Sequence, residues 1–238
     1  MKKIVNPNWI PKNGKISLRI EIIDPSDLEL ITYFYNDHYV NHGNLWKSIK
    51  ITSKECHPLS FDIVSLAIEK PVSLAAFDGN QLVAVQLNRV QSPDEFSKLF
   101  DGQLHHENPK LVIKDDYAKD IKNGPYNLQA NRIYVILQET LKQAGKFLPK
   151  TTKNLGYFKA ASVHPDYQKF GLGSYLGIES LKLFHVHHCE YIMGFTSVDA
   201  TYKFSKKLGM KECFELPYSK YKKIQSLFLV NYQKREDC

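Results

Sequence analysis

Apolar residues along the chain fall at helical spacing in some stretches and at strand spacing in others. Leu28, Ile31, Tyr35 and His38 lie on one helical line behind Asp24-Pro25-Ser26-Asp27. Asp24 is suited to cap a helix there and Pro25 to open it, because the first N–H groups of a helix have no intrahelical partner to lose. The spacing predicts a helix with His38 near its end. Residues 73–90, SLAAFDGNQLVAVQLNRV, predict two apolar strands about an Asp78-Gly79 turn. Between Asn131 and Leu148, the residues Ile133, Ile136, Leu137, Leu141 and Ala144 repeat at helical spacing and stop before Pro149. Residues 91–126 are more polar, punctuated by Pro93, Pro109 and Pro125, and read as an insertion with short helical pieces.

The last third alternates between the two patterns. Residues 157–163 read as a strand, 168–173 as a glycine-containing turn and 174–187 as a helix. A strand over 191–196, a short helix over 200–208 and closing strands near 211–214 and 226–232 follow. This order predicts one α/β (α+β) domain over 18–238 on a mixed sheet, preceded by an N-terminal extension over 1–17. Neither an internal repeat nor a linker divides it.

Composition narrows the class. The 238 residues are 43% apolar and 24% charged, which suits a globular protein able to bury a core without a staple. The formal charge of +7 favours an anionic ligand or surface. Cys56, Cys189, Cys213 and Cys238 stand far apart, as expected for reduced thiols rather than a disulfide framework. No run approaches the roughly 18 apolar residues of a membrane span. The opening MKKIVNPNWIPKNGK lacks the apolar core of a signal peptide, so a cytoplasmic location without a membrane partner is expected.

The chemistry concentrates in AASVHPDYQKFGLGSYL, residues 160–176. A strand runs into a turn with two glycines, and the turn opens a helix. Successive N–H groups at such a turn point one way, and the helix dipole adds positive character. Together they form an anion cradle suited to a pyrophosphate, with Lys169 beside it; the alternative is a tight turn without a ligand. Gly171-Leu172-Gly173 does not continue into the dinucleotide fingerprint, and the Gly-Lys-Ser/Thr of the NTPase phosphate loop is missing.

Gln168-Lys169-Phe170-Gly171-Leu172-Gly173 resembles the Q/R-x-x-G-x-G/A acetyl-CoA motif of the GNAT N-acetyltransferases. Ser162-Val163-His164-Pro165 and Leu208-Gly209-Met210 resemble further positions of that superfamily, with Met210 in place of a phenylalanine. The resemblance covers most of 18–232 and implies a mostly antiparallel central sheet flanked by helices. It also implies acetyl-CoA as cosubstrate, held by Ser162, Val163, Gln168, Lys169, Phe170, Gly171, Leu172, Gly173 and Ser174. A backbone donor for the thioester carbonyl would lie near Ser162 and Val163. Within the superfamily, the arylalkylamine N-acetyltransferases are the most similar. Residues 33–41, YFYNDHYVN, resemble their F-F-x-x-D-E-P-L-N segment, with His38 where they carry a glutamate implicated as general base. Ser197 and Thr201 resemble a pair of serines four residues apart.

The resemblance implies direct acetyl transfer to a primary amine, with catalytic roles for His38, Ser197 and Thr201. A neutral imidazole can take the amine's proton. His38 could instead be a packing residue, and Ser197 or Asp199 a helix cap. The residue four before the K-L-G glycine, a tyrosine in many relatives and their thiolate acid, is Ser205 here. The acceptor could be a small arylalkylamine, a polyamine, an amino acid or a protein lysine, or the domain could bind CoA without turnover. His185, His188 and Cys189 share one helical face, which a metal or a solvated helix end would explain. His105-His106 reads as solvated; no metal is expected. Lys220, Lys222, Lys223, Lys234 and Arg235, interleaved with Tyr218, Tyr221 and Tyr232, come without a nucleic-acid motif, so no nucleic-acid partner is expected.

Overall fold

Asp24 accepts the N–H of Ser26 while Asp27 accepts that of Asp24, and this box opens the 3-10 turn Pro25–Asp27. The chain continues into α1 (Leu28–Tyr35), which does not reach His38: it gives way to a π-helical turn, Asn36–Val40, that carries His38. Two helices not expected from the residue pattern follow, α2 (Asn44–Ile49) and α3 (Ser53–Ile68). The Thr52/Glu55 capping box at the start of α3 was legible in sequence as a T-x-x-E signature.

The computed structural model describes residues 3–12, 14, 16–216 and 225–231. Its strands are β1 (Ile4–Trp9), β2 (Leu18–Ile22), β3 (Leu74–Asp78), β4 (Gln81–Gln91), β5 (Leu155–Val163), β6 (Tyr191–Thr196), β7 (Lys211–Leu216) and β8 (Gln225–Asn231). They form one sheet in the order β1-β2-β3-β4-β5-β6-β8-β7. Only β5 and β6 pair in parallel; every other neighbour is antiparallel, the mixed, mostly antiparallel sheet that was expected. Residues 4–9 of the expected extension supply the edge strand β1. The hairpin turns at Gly79-Asn80, one residue later than expected, with Gly79 at φ +56.

The remaining helices are α4 (Pro93–Leu99), α5 (Ala118–Lys122), α6 (Leu128–Ala144), α7 (Leu172–Val186) and α8 (Asp199–Lys207). Helix α6 starts earlier than its periodicity indicated because Asn127 caps it, accepting from the N–H groups of Gln129 and Ala130. Ile31, Tyr35, Val64 and Ile133, from α1, α3 and α6, pack with Val85 and Leu87 on one face of the sheet. On the other face α7 places Leu172 and Leu176 against Ile20 and Val83, and Phe184 against Ile192. The polar 91–126 stretch carries core anchors of its own: Phe96 packs with Leu141, Tyr157 and Met193, as does neighbouring Phe100. Burying one such side chain contributes roughly 1.5–3 kcal/mol. Residues 218, 220–223, 232, 234, 235 and 238, which include the C-terminal basic and tyrosine residues and Cys238, lie outside the described residues.

Candidate active site

The parallel pairing of β5 with β6 runs from Leu155↔Tyr191 to Phe158↔Gly194 and stops. Beyond that point β5 stays with β4 as far as Val163↔Ala84, while β6 stays with β8 as far as Thr196↔Ser226. The sheet therefore forks. Along residues 159–163 the backbone groups that would face β6 have no strand partner among the described residues, and such groups need another polar partner. The fork coincides with a β-bulge: Leu87 pairs with Ala160 and Asn88 with Phe158, so Lys159 is an extra residue on β5. Bulges bend a strand and redirect side chains, and they concentrate beside active sites.

The cleft in the fork is walled by Phe158 to Ala161 on one side and Gly194 to Val198 on the other. Thr201, Phe204 and Ser205 of α8 line it too, together with Gln86 and with Tyr39 and Gly43 at the π-turn. Among the described wall residues there is no Asp or Glu, and Lys159 is the one Lys or Arg. Its Nζ lies 5.4 Å from the centre of the Tyr157 ring. Burial, with a smaller contribution from the Arg89 charge, lowers its pKa to about 8. Gln86 Nε2 donates to the Ala160 carbonyl at 3.3 Å.

β5 leads through His164 and the 3-10 turn Pro165–Tyr167 to the glycine turn. Lys169 at φ +68 and Gly171 at φ +83 are left-handed, so the chain reverses and enters α7 with Gly171 as N-cap. No side chain caps α7. The first-turn N–H groups of Leu172, Gly173 and Ser174 are consequently open to an external acceptor. A Cβ on Gly171 would meet nothing within 4 Å, and one on Gly173 only Val163 Cγ2 at 3.6 Å, so the surface above the turn is clear. Lys169, Gly171 and Ser174 are exposed, as is Gln168, whose Nε2 donates to the Val163 carbonyl at 3.1 Å. Phe170 is half-buried, and Val163 packs against the cluster that holds Leu172. Leu172 is itself 1% exposed, so only its N–H can serve an anion. Ser162 is buried on β5 at the far end of the fork. The open N–H groups of 172–174 with Lys169 beside them could hold an anionic group such as a pyrophosphate.

His38 is not among the residues that line the cleft; it lies beside His164, the residue that follows β5. Its ring packs on Phe34 at 4.4 Å and meets the His164 ring edge-on at 4.8 Å, between centroids. Burial first, then the charges of His164 and His42, lower its pKa from 6.5 against the opposing pull of Asp37. The next residue, Tyr39, reaches the cleft wall. Ser197 and Thr201 share the cleft with Lys159, and Thr201 Oγ1 donates to the Val198 carbonyl at 2.9 Å. Tyr202, beside the position held by Ser205, donates its phenol to Glu212 and does not line the cleft. Lys159, His164 and Tyr39 were not singled out from sequence. A charged residue inside the otherwise uncharged run 155–163 was the available signal for the first.

Cys189 is buried and its thiol is pushed up to about 12 by burial, while His105 Nδ1 is 2.7 Å from the Leu148 carbonyl. Among the described residues no group of three His, Cys, Asp or Glu side chains is placed to hold a metal. None of the described helices is long and apolar enough to cross a membrane.

No protein-family model matches the chain, and no curated protein sequence does. Solved structures do. Drosophila melanogaster polyamine N-acetyltransferase, which catalyses formation of N-acetylagmatine, aligns with a TM-score of 0.68 at 12% identity, over 90% of this chain and 99% of that one. Aedes aegypti arylalkylamine N-acetyltransferase 2 aligns with a TM-score of 0.69 at 12% identity, over 90% and 98%. The fold is that of the GNAT N-acetyltransferases. A mosquito arylalkylamine N-acetyltransferase-like protein, 5b, adds a TM-score of 0.65 at 13% identity, over 90% and 100%. At such identities the likeness is one of fold alone. The forked β5–β6 pair and the uncapped α7 belong to this GNAT-fold chain in their own right.

Proposed function

We propose that this protein transfers acetyl from acetyl-CoA directly to a primary amine, and that the amine is a small arylalkylamine. The observation that carries the reading is the continuity of the fork with the glycine turn. Unpaired strand backbone at 159–163 leads along β5 to open helix N–H groups at 172–174. An extended acyl thioester with a pyrophosphate at its far end has the matching chemistry: hydrogen-bonding amides along a strand edge, then anionic oxygens at a helix N-terminus. Lys169 adds charge beside the phosphates.

For transfer, an ammonium must lose a proton before its nitrogen attacks the thioester carbon. His38 is suited to accept that proton because burial and its histidine neighbours favour the neutral ring. A backbone N–H near Ser162 and Val163 is suited to stabilise the carbonyl oxygen as it gains charge. The acceptor class follows from the wall. Tyr39, Phe158, Phe195 and Phe204 offer apolar area to an aryl ring, whereas a polyamine finds no carboxylate among the described wall residues.

The test is thiol release from acetyl-CoA across tyramine, dopamine, serotonin, spermidine and a lysine peptide. Tyramine, dopamine or serotonin is expected to give the highest kcat/KM. Spermidine or the peptide matching them would overturn the acceptor assignment and leave the transferase. Binding of acetyl-CoA by calorimetry with no thiol release from any amine would leave only a CoA-binding domain.

A further inference from the structure

The departing CoA thiolate needs a proton, and the phenol that supplies it in many GNAT enzymes has no counterpart among the described cleft residues. Ser205 holds that position, and Tyr202 is turned away to Glu212. Thr201 donates its hydroxyl proton to the Val198 carbonyl, and burial raises the Tyr39 phenol above its usual value. One group remains. Lys159 is the bulged residue at the point where β5 leaves β6, it lines the cleft, and no described carboxylate pairs with it. We propose that Lys159 is the catalytic proton donor to the thiolate, an assignment that rests on the acetyltransferase reading above.

The step balances as follows. The base removes one proton from the ammonium, and the amine nitrogen forms a bond to the thioester carbon. The carbon–sulfur bond breaks with its electron pair on sulfur, and an Nζ proton of Lys159 passes to that sulfur to give the free thiol. The neutral amine of Lys159 then recovers a proton from the newly acylated nitrogen, directly or through water. The net release is one proton, carried out through the base.

The surroundings suit an acid that works near neutrality. Arg89 on β4 is the charged neighbour and disfavours the ammonium; Arg89 is itself paired with Glu69 and Glu95. Tyr157 on the same strand offers its ring face, and Tyr39 faces the cleft from the π-turn. β6 and α8 contribute Phe195, Thr196 and Ser205, none of them charged. With its pKa near 8, Lys159 lies close to the roughly 8.5 of an ordinary thiol, the match that makes proton transfer efficient. An ordinary lysine would hold its proton too tightly.

The experiment compares the parent with Lys159→Met, Lys159→Gln and Lys159→Arg. First, trace labelling of the unliganded parent with acetic anhydride, read by mass spectrometry across pH, should place the Lys159 midpoint near 8. Second, parent kcat with acetyl-CoA should fall above that pH. Lys159→Met should lose the falling limb and about 10²-fold in kcat, with acetyl-CoA affinity by calorimetry unchanged. Lys159→Arg, which keeps the charge but holds its proton, should be as slow. An acetyl thioester of a nitrothiophenol, whose thiolate needs no proton, should restore most of the Lys159→Met rate. If Lys159→Met fails to fold, Lys159→Gln answers the same questions. Full activity of Lys159→Arg, an equal loss on both thioesters, or an unchanged falling limb in Lys159→Met would overturn the proposal while leaving acetyl transfer intact. A parent that binds acetyl-CoA and never releases thiol would remove both.

Discussion

The two halves of the candidate site are built from different materials. At the glycine turn after β5 the proposed recognition rests on main-chain direction: left-handed Lys169 and Gly171, an uncapped helix, and glycines whose missing side chains leave room. At the fork it rests on side chains of altered proton affinity. Burial lowers the pKa of Lys159, on the bulge, and of His38, on the π-turn beside His164, and both stand where regular geometry breaks. In the proposed reading the first, exposed half would hold charge that the ligand brings, and the second, partly buried half would move protons. Substitutions at the first should therefore alter binding, and those at the second should alter rate and pH dependence.

The largest effect is expected at the proton-moving half. His38→Ala should lower kcat/KM by about 10²-fold, within the usual contribution of a general base. Acetyl-CoA affinity should hardly change. Because the neutral ring is the active form and the pKa lies below 6.5, parent kcat/KM should be level at pH 7 and fall as pH drops through that lowered value. His38→Glu should recover much of the rate and move the fall further to acid. A His38→Ala enzyme with full rate and an unshifted profile would make His38 a packing residue and blur the contrast between the two halves.

Two glycines sharpen it next. A Cβ on Gly173 meets only Val163 at 3.6 Å, so Gly173→Val should fold normally. Its side chain would occupy the space above the helix N-terminus, weakening acetyl-CoA by about tenfold or more, the equivalent of roughly 1.4 kcal/mol. Gly156 lies on β5 before the fork, where a Cβ would come within 2.9 Å of Cγ of fully buried Phe184. Gly156→Ala should therefore cost about 1–3 kcal/mol of stability by overpacking, and its acetyl-CoA affinity, measured below the transition, should be unchanged. Calorimetric binding with melting temperatures for both variants separates the cases. Equal acetyl-CoA affinity for Gly173→Val and parent would remove the cradle argument.

The same division explains what the sequence disclosed. Residues 168–174 are consecutive, so their glycine spacing announced a turn and a helix start without any knowledge of partners. Tyr191–Thr196 was legible for a similar reason, as one apolar run between turns. The fork was not legible, because a bulge is a statement about two strands at once: Lys159 is extra only relative to Leu87 and Asn88. The π-turn was hidden by an uninterrupted helical pattern through His38, and β1 by residues of which none is buried and which lack strand alternation. Helix α3 lost its signal to a Pro58 inside it, although its capping box stood in plain view.

The smallest effect is expected at Thr201, which shares the cleft with Lys159 but is tied to its own helix. Its hydroxyl donates to Val198, the residue before α8, and so holds the first turn of that helix rather than a substrate proton. Losing one partly exposed hydrogen bond costs at most about 1 kcal/mol. Thr201→Ala should accordingly lower the melting temperature slightly, roughly 2–4 °C per kcal/mol for a chain of this size. Thr201→Ser keeps the donor and should match the parent. Ser197, which precedes α8 on the cleft wall, is the control within the pair. Ser197→Ala should reduce kcat more than Thr201→Ala if a wall hydroxyl contacts the reacting groups. The pH profile of Thr201→Ala should superimpose on the parent's, because no proton in the proposed path passes through it. A lost falling limb in Thr201→Ala, with Lys159 intact, would move the hydroxyl into the proton path and make the fork a shared device of strand and helix.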